Sequence, residues 1–153
     1  VCIRLSATKI TVESGSSTLT SKLIDGTFPD YQRVIPTGND RYATVARAAL
    51  IAATDRVSTI SSERGGSVKL ALDAGSIRLS VTNPDSGDAS EEIEAGYDGP
   101  PLEIGFNARY LMDILSTFTC ETVILKLADP ASPTILQQID DASVLTVLMP
   151  MRV

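Results

Sequence analysis

The chain has 153 residues, of which 43% are hydrophobic and 21% charged, and 19 acids against 13 bases leave a net charge of −6. This is a globular balance, long enough for one well-buried domain or one domain plus a piece of another, and it excludes disorder as the main state. The acidity argues against phosphate binding over the whole surface, and no apolar run reaches the roughly 20 residues of a membrane span. With no His and only two cysteines, an ordinary Cys/His zinc site cannot be assembled.

The chain begins VCIRL, without an initiator Met or a cleavage signal, and reads as starting inside a strand of a longer protein. Residues 1–23 predict two alternating, β-branched strands, CIRLSATKITVE and STLTSKLI, with a turn at Glu13-Ser14-Gly15-Ser16. Two short strands bury no core alone, so the rest of their sheet is expected upstream of Val1. The stretch DGTFPDYQRVIP that follows is bounded by turn residues and carries two prolines, which predicts an extended connector. Its Phe, Tyr, Val and Ile are too apolar for a free linker, so it is expected to lie against something.

From about Arg41 the chain reads as one unit written twice. A strand over 42–46 leads into a helix over 48–61, with strands near 68–72, 77–82 and 91–97. The second copy runs as a strand over 102–106, a helix over 107–118, and strands over 122–127, 134–139 and 144–148. The strand-to-helix junctions align, Val45-Ala46-Arg47-Ala48-Ala49-Leu50 with Phe106-Asn107-Ala108-Arg109-Tyr110-Leu111. Leu111, Ile114, Leu115 and Phe118 make one helical stripe, and Leu50, Ala53, Val57 and Ile60 a narrower one. Asn107 is placed to cap the second helix. Each helix therefore has one buried face, and both are expected on the same side of a shared sheet.

No catalytic motif is present: there is no GxSxG, no Walker A loop, no GxGxxG, and no His to act as a base. Gly65-Gly66 reads as a helix-to-strand turn. Asp85, Asp88, Glu91, Glu92, Glu94, Asp98 and Glu103 occur with no Lys or Arg between them, a solvated acidic edge that discourages unwanted strand pairing. Cys2 and Cys120 read as buried, reduced thiols. Two apolar peptides remain without a local excuse, FPDYQRVIP and the terminal VLMPMRV, and each is either core or a surface for a partner peptide.

DGTFPDYQRVIP and VLMPMRV, together with EIGFNARYLMDIL and the stretch ending DRVSTISSER, closely resemble the bacterial DNA polymerase III β subunit family, the sliding clamps. The resemblance covers essentially the whole chain. It implies an α+β DNA-clamp fold, a duplicated βαβββ unit with two helices on one side of antiparallel sheets. Residues 1–36 would be the end of a second clamp domain plus the interdomain connector, and 37–153 the third, carboxy-terminal domain. The implied function is that of a processivity factor in the bacterial cytoplasm. It is a ring that encircles duplex DNA and tethers polymerase subunits, the clamp loader and repair proteins through short linear motifs, without catalysis and without a cofactor.

The resemblance also implies sites. A peptide groove would be lined by Pro29, Arg33, Val34, Asn107, Tyr110, Val147, Met149, Pro150, Met151 and Arg152. The apolar members would form its floor, and Arg33, Asn107 and Arg152 would hold the ligand backbone or its polar groups. Gly65 would leave one side of that pocket open. Arg47, Arg56 and Arg109 would face DNA in the channel. Thr59, Ile60, Asp85, Asp88, Glu91 and Glu92 would form one edge of a heterologous subunit interface, so that the full-length protein is a homodimer while this chain alone is a monomer. The competing readings are an enzyme with an unseen site and a protein-interaction domain with no role on DNA.

Overall fold

The computed structural model describes every residue except Pro29, residues 62–65, Ala142 and Val153. The chain separates into two compact units, Val1–Tyr31 and Gln32–Val153.

The first unit is an antiparallel sheet of three strands, β1 (Cys2–Leu5), β2 (Lys9–Ser14) and β3 (Ser17–Lys22). Two strands were expected here. CIRLSATKITVE breaks at Ser6 because its hydroxyl accepts the N–H groups of Thr8 and Lys9, which offers the backbone a turn in place of the ladder. Gly15 supplies the positive φ, +57°, of the second turn. Ile3, Leu5 and Leu19 stay largely exposed, so this sheet buries no core of its own, as expected of so few strands. Cys2 is exposed rather than buried, because it sits on the outer strand β1; Cys120 is half-buried, and both thiols are free.

Between the units, a short 3-10 turn at Tyr31–Arg33 interrupts what was expected to be an extended connector. The prolines confine only themselves and the residues before them, which leaves Tyr31-Gln32-Arg33 free to coil.

In the second unit the elements run β4 (Arg41–Ala46), α1 (Arg47–Ser58), β5 (Ser67–Asp73), β6 (Ser76–Asn83), β7 (Gly87–Gly96), then β8 (Leu102–Asn107), α2 (Ala108–Thr117), β9 (Thr122–Leu127), β10 (Thr134–Gln138) and β11 (Thr146–Leu148). This is the same order twice. The strands form one antiparallel array, β11-β10-β9-β4-β7-β6-β5-β8, in which the first strand of each copy pairs with the strand after the other copy's helix. The helix starts repeat the pattern. The N–H of Arg47 donates to the Glu121 carbonyl at 2.8 Å, and the N–H of Ala108 to the Gly66 carbonyl at 3.1 Å, so each copy satisfies an orphan donor of the other.

Helix α1 has no side-chain cap because Ala46 stands at its N-cap, whereas α2 is capped as expected by Asn107, whose Oδ1 accepts the Tyr110 N–H at 3.0 Å. Leu50, Ala53 and Val57 of α1 and Leu111 and Leu115 of α2 enter one core with Leu70, Leu79, Ile104, Phe106 and Leu125. The two helices also pack on each other. Helix α1 ends at Ser58, so Ile60 packs on the core from the following turn rather than from the helix. Where β7 meets β4, a Cβ at Gly96 would run into the Thr44 hydroxyl, so any larger residue there requires the Thr44 side chain to move.

Candidate functional site

The chain's last strand divides its side chains between core and surface. Leu148 is buried beside Thr134 of β10, while Val147 is half-buried and Met149 is 58% exposed. Three residues beyond β11 the Met151 N–H donates to the Gly105 carbonyl of β8 at 2.8 Å, so the two strands at the ends of the array's order lie close together here. Two residues further along β8 lies Asn107, the cap of α2, and α2 packs against β11. The tail and the first turn of α2 are thus brought together. Tyr110 and Met151 join Met149 as large apolar groups left at the surface.

Residues Glu103, Ile104, Gly105, Pro130, Ala131, Pro150, Met151 and Arg152 line a surface cavity of about 600 Å³. Five of them, Glu103, Ile104, Gly105, Pro130 and Ala131, were not anticipated here, and among the described residues only Pro150, Met151 and Arg152 of the expected groove line this cavity. The Asp-Pro-Ala-Ser-Pro stretch signals a tight turn, but nothing in it says that the turn faces the carboxy terminus. Arg33 and Val34 stand exposed in the segment ahead of β4, and Arg152 is exposed at the cavity. Pro29 and Gly65, both expected at the groove, lie outside the described residues.

The three channel candidates have partners within the chain. Arg47 donates through Nε to the Cys120 carbonyl at 2.8 Å and through Nη1 to the Leu115 carbonyl at 3.4 Å, which sets a positive charge at the C-terminal end of α2. Arg56 forms a forked pair with Glu91. The charged hydrogen bond holds the Glu91 carboxyl below its ordinary range and the Arg56 guanidinium above its own. Arg109 lies 3.8 Å from Asp113 on the exposed face of α2.

The edge candidates cluster. Asn83, which sequence reasoning missed, is buried and donates to the Ile60 carbonyl at 2.6 Å, while its Oδ1 accepts the N–H groups of Asp85 and Ser86. One side chain therefore ties the Thr59-Ile60 turn to the start of the acidic stretch. An Asn-Pro-Asp-Ser-Gly turn was its available signal. Asp88 is exposed opposite Thr82, and Glu92 pairs with Arg78 at 2.8 Å. Among the described residues, strand β7 meets β4 only through Ala95 and Gly96, so its stretch from Gly87 to Glu94 pairs with β6 alone and presents an open backbone edge.

Comparison with known proteins identifies relatives of the chain as a whole. The family described as "DNA polymerase III beta subunit, C-terminal domain" matches residues 32–152. The "Beta sliding clamp" of Caulobacter vibrioides is 48% identical over all 153 residues, and that of Pseudomonas putida 42% identical over 152. A solved DnaN sliding clamp of Bartonella birtlesii bound to griselimycin superposes with a TM-score of 0.92 at 52% identity over 99% of this chain. A DNA polymerase sliding clamp from Caulobacter crescentus does so at 0.91 and 48%, also over 99%. The chain spans about two fifths of these relatives, 41% of each curated protein and 41% and 40% of the two solved chains.

Proposed function

Because this chain belongs to the DNA polymerase III beta subunit family, through its C-terminal domain, we propose that it is the carboxy-terminal part of a sliding clamp. In this reading the whole protein is a non-catalytic, cytoplasmic processivity factor. It closes as a homodimeric ring around duplex DNA and tethers polymerase subunits, the clamp loader and repair proteins by their short linear motifs. Residues 1–36 belong to the preceding domain and connector, and 37–153 form the third domain.

The observation that carries the reading is the tail. A chain end that leaves Met149 and Met151 at the surface, while its backbone is pinned to β8 beside the start of α2, offers adaptable apolar side chains on a rigid support. Val147, Met149, Pro150 and Met151 supply the floor for Leu and Phe side chains, with Val34 and Tyr110 as walls. Arg33, Asn107 and Arg152 provide polar contacts. Pro29 is assigned to the same groove on the family resemblance alone. The open edge of β7, next to Thr59, Ile60 and Asp85, supports its use in ring closure, since a strand from another subunit can add there.

Contacts with DNA are loose in this reading. Arg47 and Arg56 are engaged by groups of their own chain, which suits a ring that encircles the duplex without gripping it. The test is calorimetric titration of a peptide carrying Gln-Leu-Ser-Leu-Phe against the chain and against a form lacking residues 149–153. Saturable binding that the truncation removes is expected. Equal affinity for both forms overturns the groove assignment.

A further inference from the structure

The turn between β9 and β10 is held more firmly than a surface turn requires. Both oxygens of Asp129 are used: Oδ1 accepts the N–H groups of Ala131 at 2.8 Å and Ser132 at 2.9 Å, and Oδ2 accepts the Ser132 hydroxyl at 2.6 Å. Prolines at 130 and 133 fix two further backbone angles. At the base, the buried side-chain amide of Asn39 donates to the Lys126 carbonyl at 2.7 Å and to the Pro133 carbonyl at 2.9 Å, tying the two strands together where the turn begins.

The tip of this turn, Pro130 and Ala131, is one wall of the cavity whose other side is Pro150, Met151 and Arg152. The tail wall carries flexible methionine and arginine side chains, so the Asp129 turn is the rigid half of the cavity. A wall held in one conformation before binding removes the ordering cost that a mobile loop would add.

We propose that Asp129 is a positioning residue for this cavity, fixing Pro130 and Ala131 so that an apolar side chain of a bound linear peptide meets a preformed wall opposite Met151. The inference deepens the groove reading above and rests on it. Asp129 touches no ligand in this scheme. It acts through the backbone N–H groups of Ala131 and Ser132, and its own side chain is exposed with Arg41 as its charged neighbour.

The experiment compares wild type with Asp129→Ala, Asp129→Asn and Ser132→Ala in titrations with the Gln-Leu-Ser-Leu-Phe peptide, alongside thermal melting. The alanine variant is expected to bind about tenfold more weakly, the effect of about 1.4 kcal/mol. Asp129→Asn, whose amide oxygen still accepts from Ala131 and Ser132, should recover most of that loss. Ser132→Ala, which removes only the hydroxyl bond, should lose a smaller part, with the melting temperature close to that of wild type. An affinity of Asp129→Ala within about twofold of wild type, or an asparagine variant as weak as the alanine one, overturns the positioning role while peptide binding itself stands. A wild-type protein that does not bind the peptide overturns the groove reading together with this proposal.

Discussion

Leu148 and Met149 are adjacent, yet they should respond to truncation in opposite ways. Leu148 is 5% exposed and enters the core, so Leu148→Ala is expected to cost about 2–5 kcal/mol of stability. Met149 is 58% exposed, which leaves less than half of its side chain to bury. Full burial of a methionine contributes about 1.5–3 kcal/mol, so Met149→Ala should cost about 1 kcal/mol or less in folding. As an anchor for a peptide it is expected to contribute about 2 kcal/mol, roughly thirtyfold in Kd. Urea denaturation read by circular dichroism gives the first quantity, and calorimetric titration of the Gln-Leu-Ser-Leu-Phe peptide gives the second. The reasoning is refuted by a Met149→Ala variant as destabilised as Leu148→Ala, which would make the methionine part of the core. Unchanged peptide affinity in that variant refutes it equally.

The hydroxyl of Thr134 is fully buried and, among the described residues, lacks a hydrogen-bond partner. Thr134→Val should therefore raise stability by about 1 kcal/mol in the same urea assay. The carboxyls of Glu91, Asp129 and Asp141 are each held below their ordinary range, by Arg56, by Ser132 with the Ala131 N–H, and by Ser143 respectively. Depressed carboxyls contribute stability above the ordinary values of about 4 and lose it as pH falls through the lowered ones. Melting temperature should thus hold down to about pH 5 and fall below about pH 4, and a Glu91→Gln variant should show a shallower acid limb. With Arg47 and Arg56 engaged within the chain, duplex affinity should be weak and vanish near physiological salt. A fluorescence anisotropy titration that shows sequence-specific binding at about 0.15 M salt would contradict the clamp reading. Two copies of the acidic β7 edge repel each other, so this chain alone should sediment as a monomer at neutral pH, and a tight dimer on that edge would show the interface to be misplaced.

What the residues determined alone was the local and the repeated. The period of Leu111, Ile114 and Leu115 specified α2 and its buried face, with Phe118 buried just past its end, Asn107 its cap, and the order of strands and helices the duplication, because each depends on neighbours a few residues apart. Local chemistry also explains the errors. Ser6 divided a strand that alternation alone made continuous, and the connector coiled where its prolines were read as extended.

The candidate site was expected mainly from family resemblance, which implied one groove for the tail and the connector; the cavity at the tail is lined by Pro150, Met151 and Arg152 with residues from β8 and the turn after β9. The residues themselves left core and docking surface undecided for VLMPMRV. Only the tertiary structure separates Leu148 from Met149, since that depends on which face of β11 is covered by the core and α2. It alone brings Pro130 and Ala131 to the tail, Asn83 to Ile60, and Glu91 to Arg56. These pairings join residues far apart in sequence, each within one copy of the unit, where later strands and the tail fold back past the helix or turn before them. A hydrophobic period records which face of a segment is buried, but not which distant segment buries it.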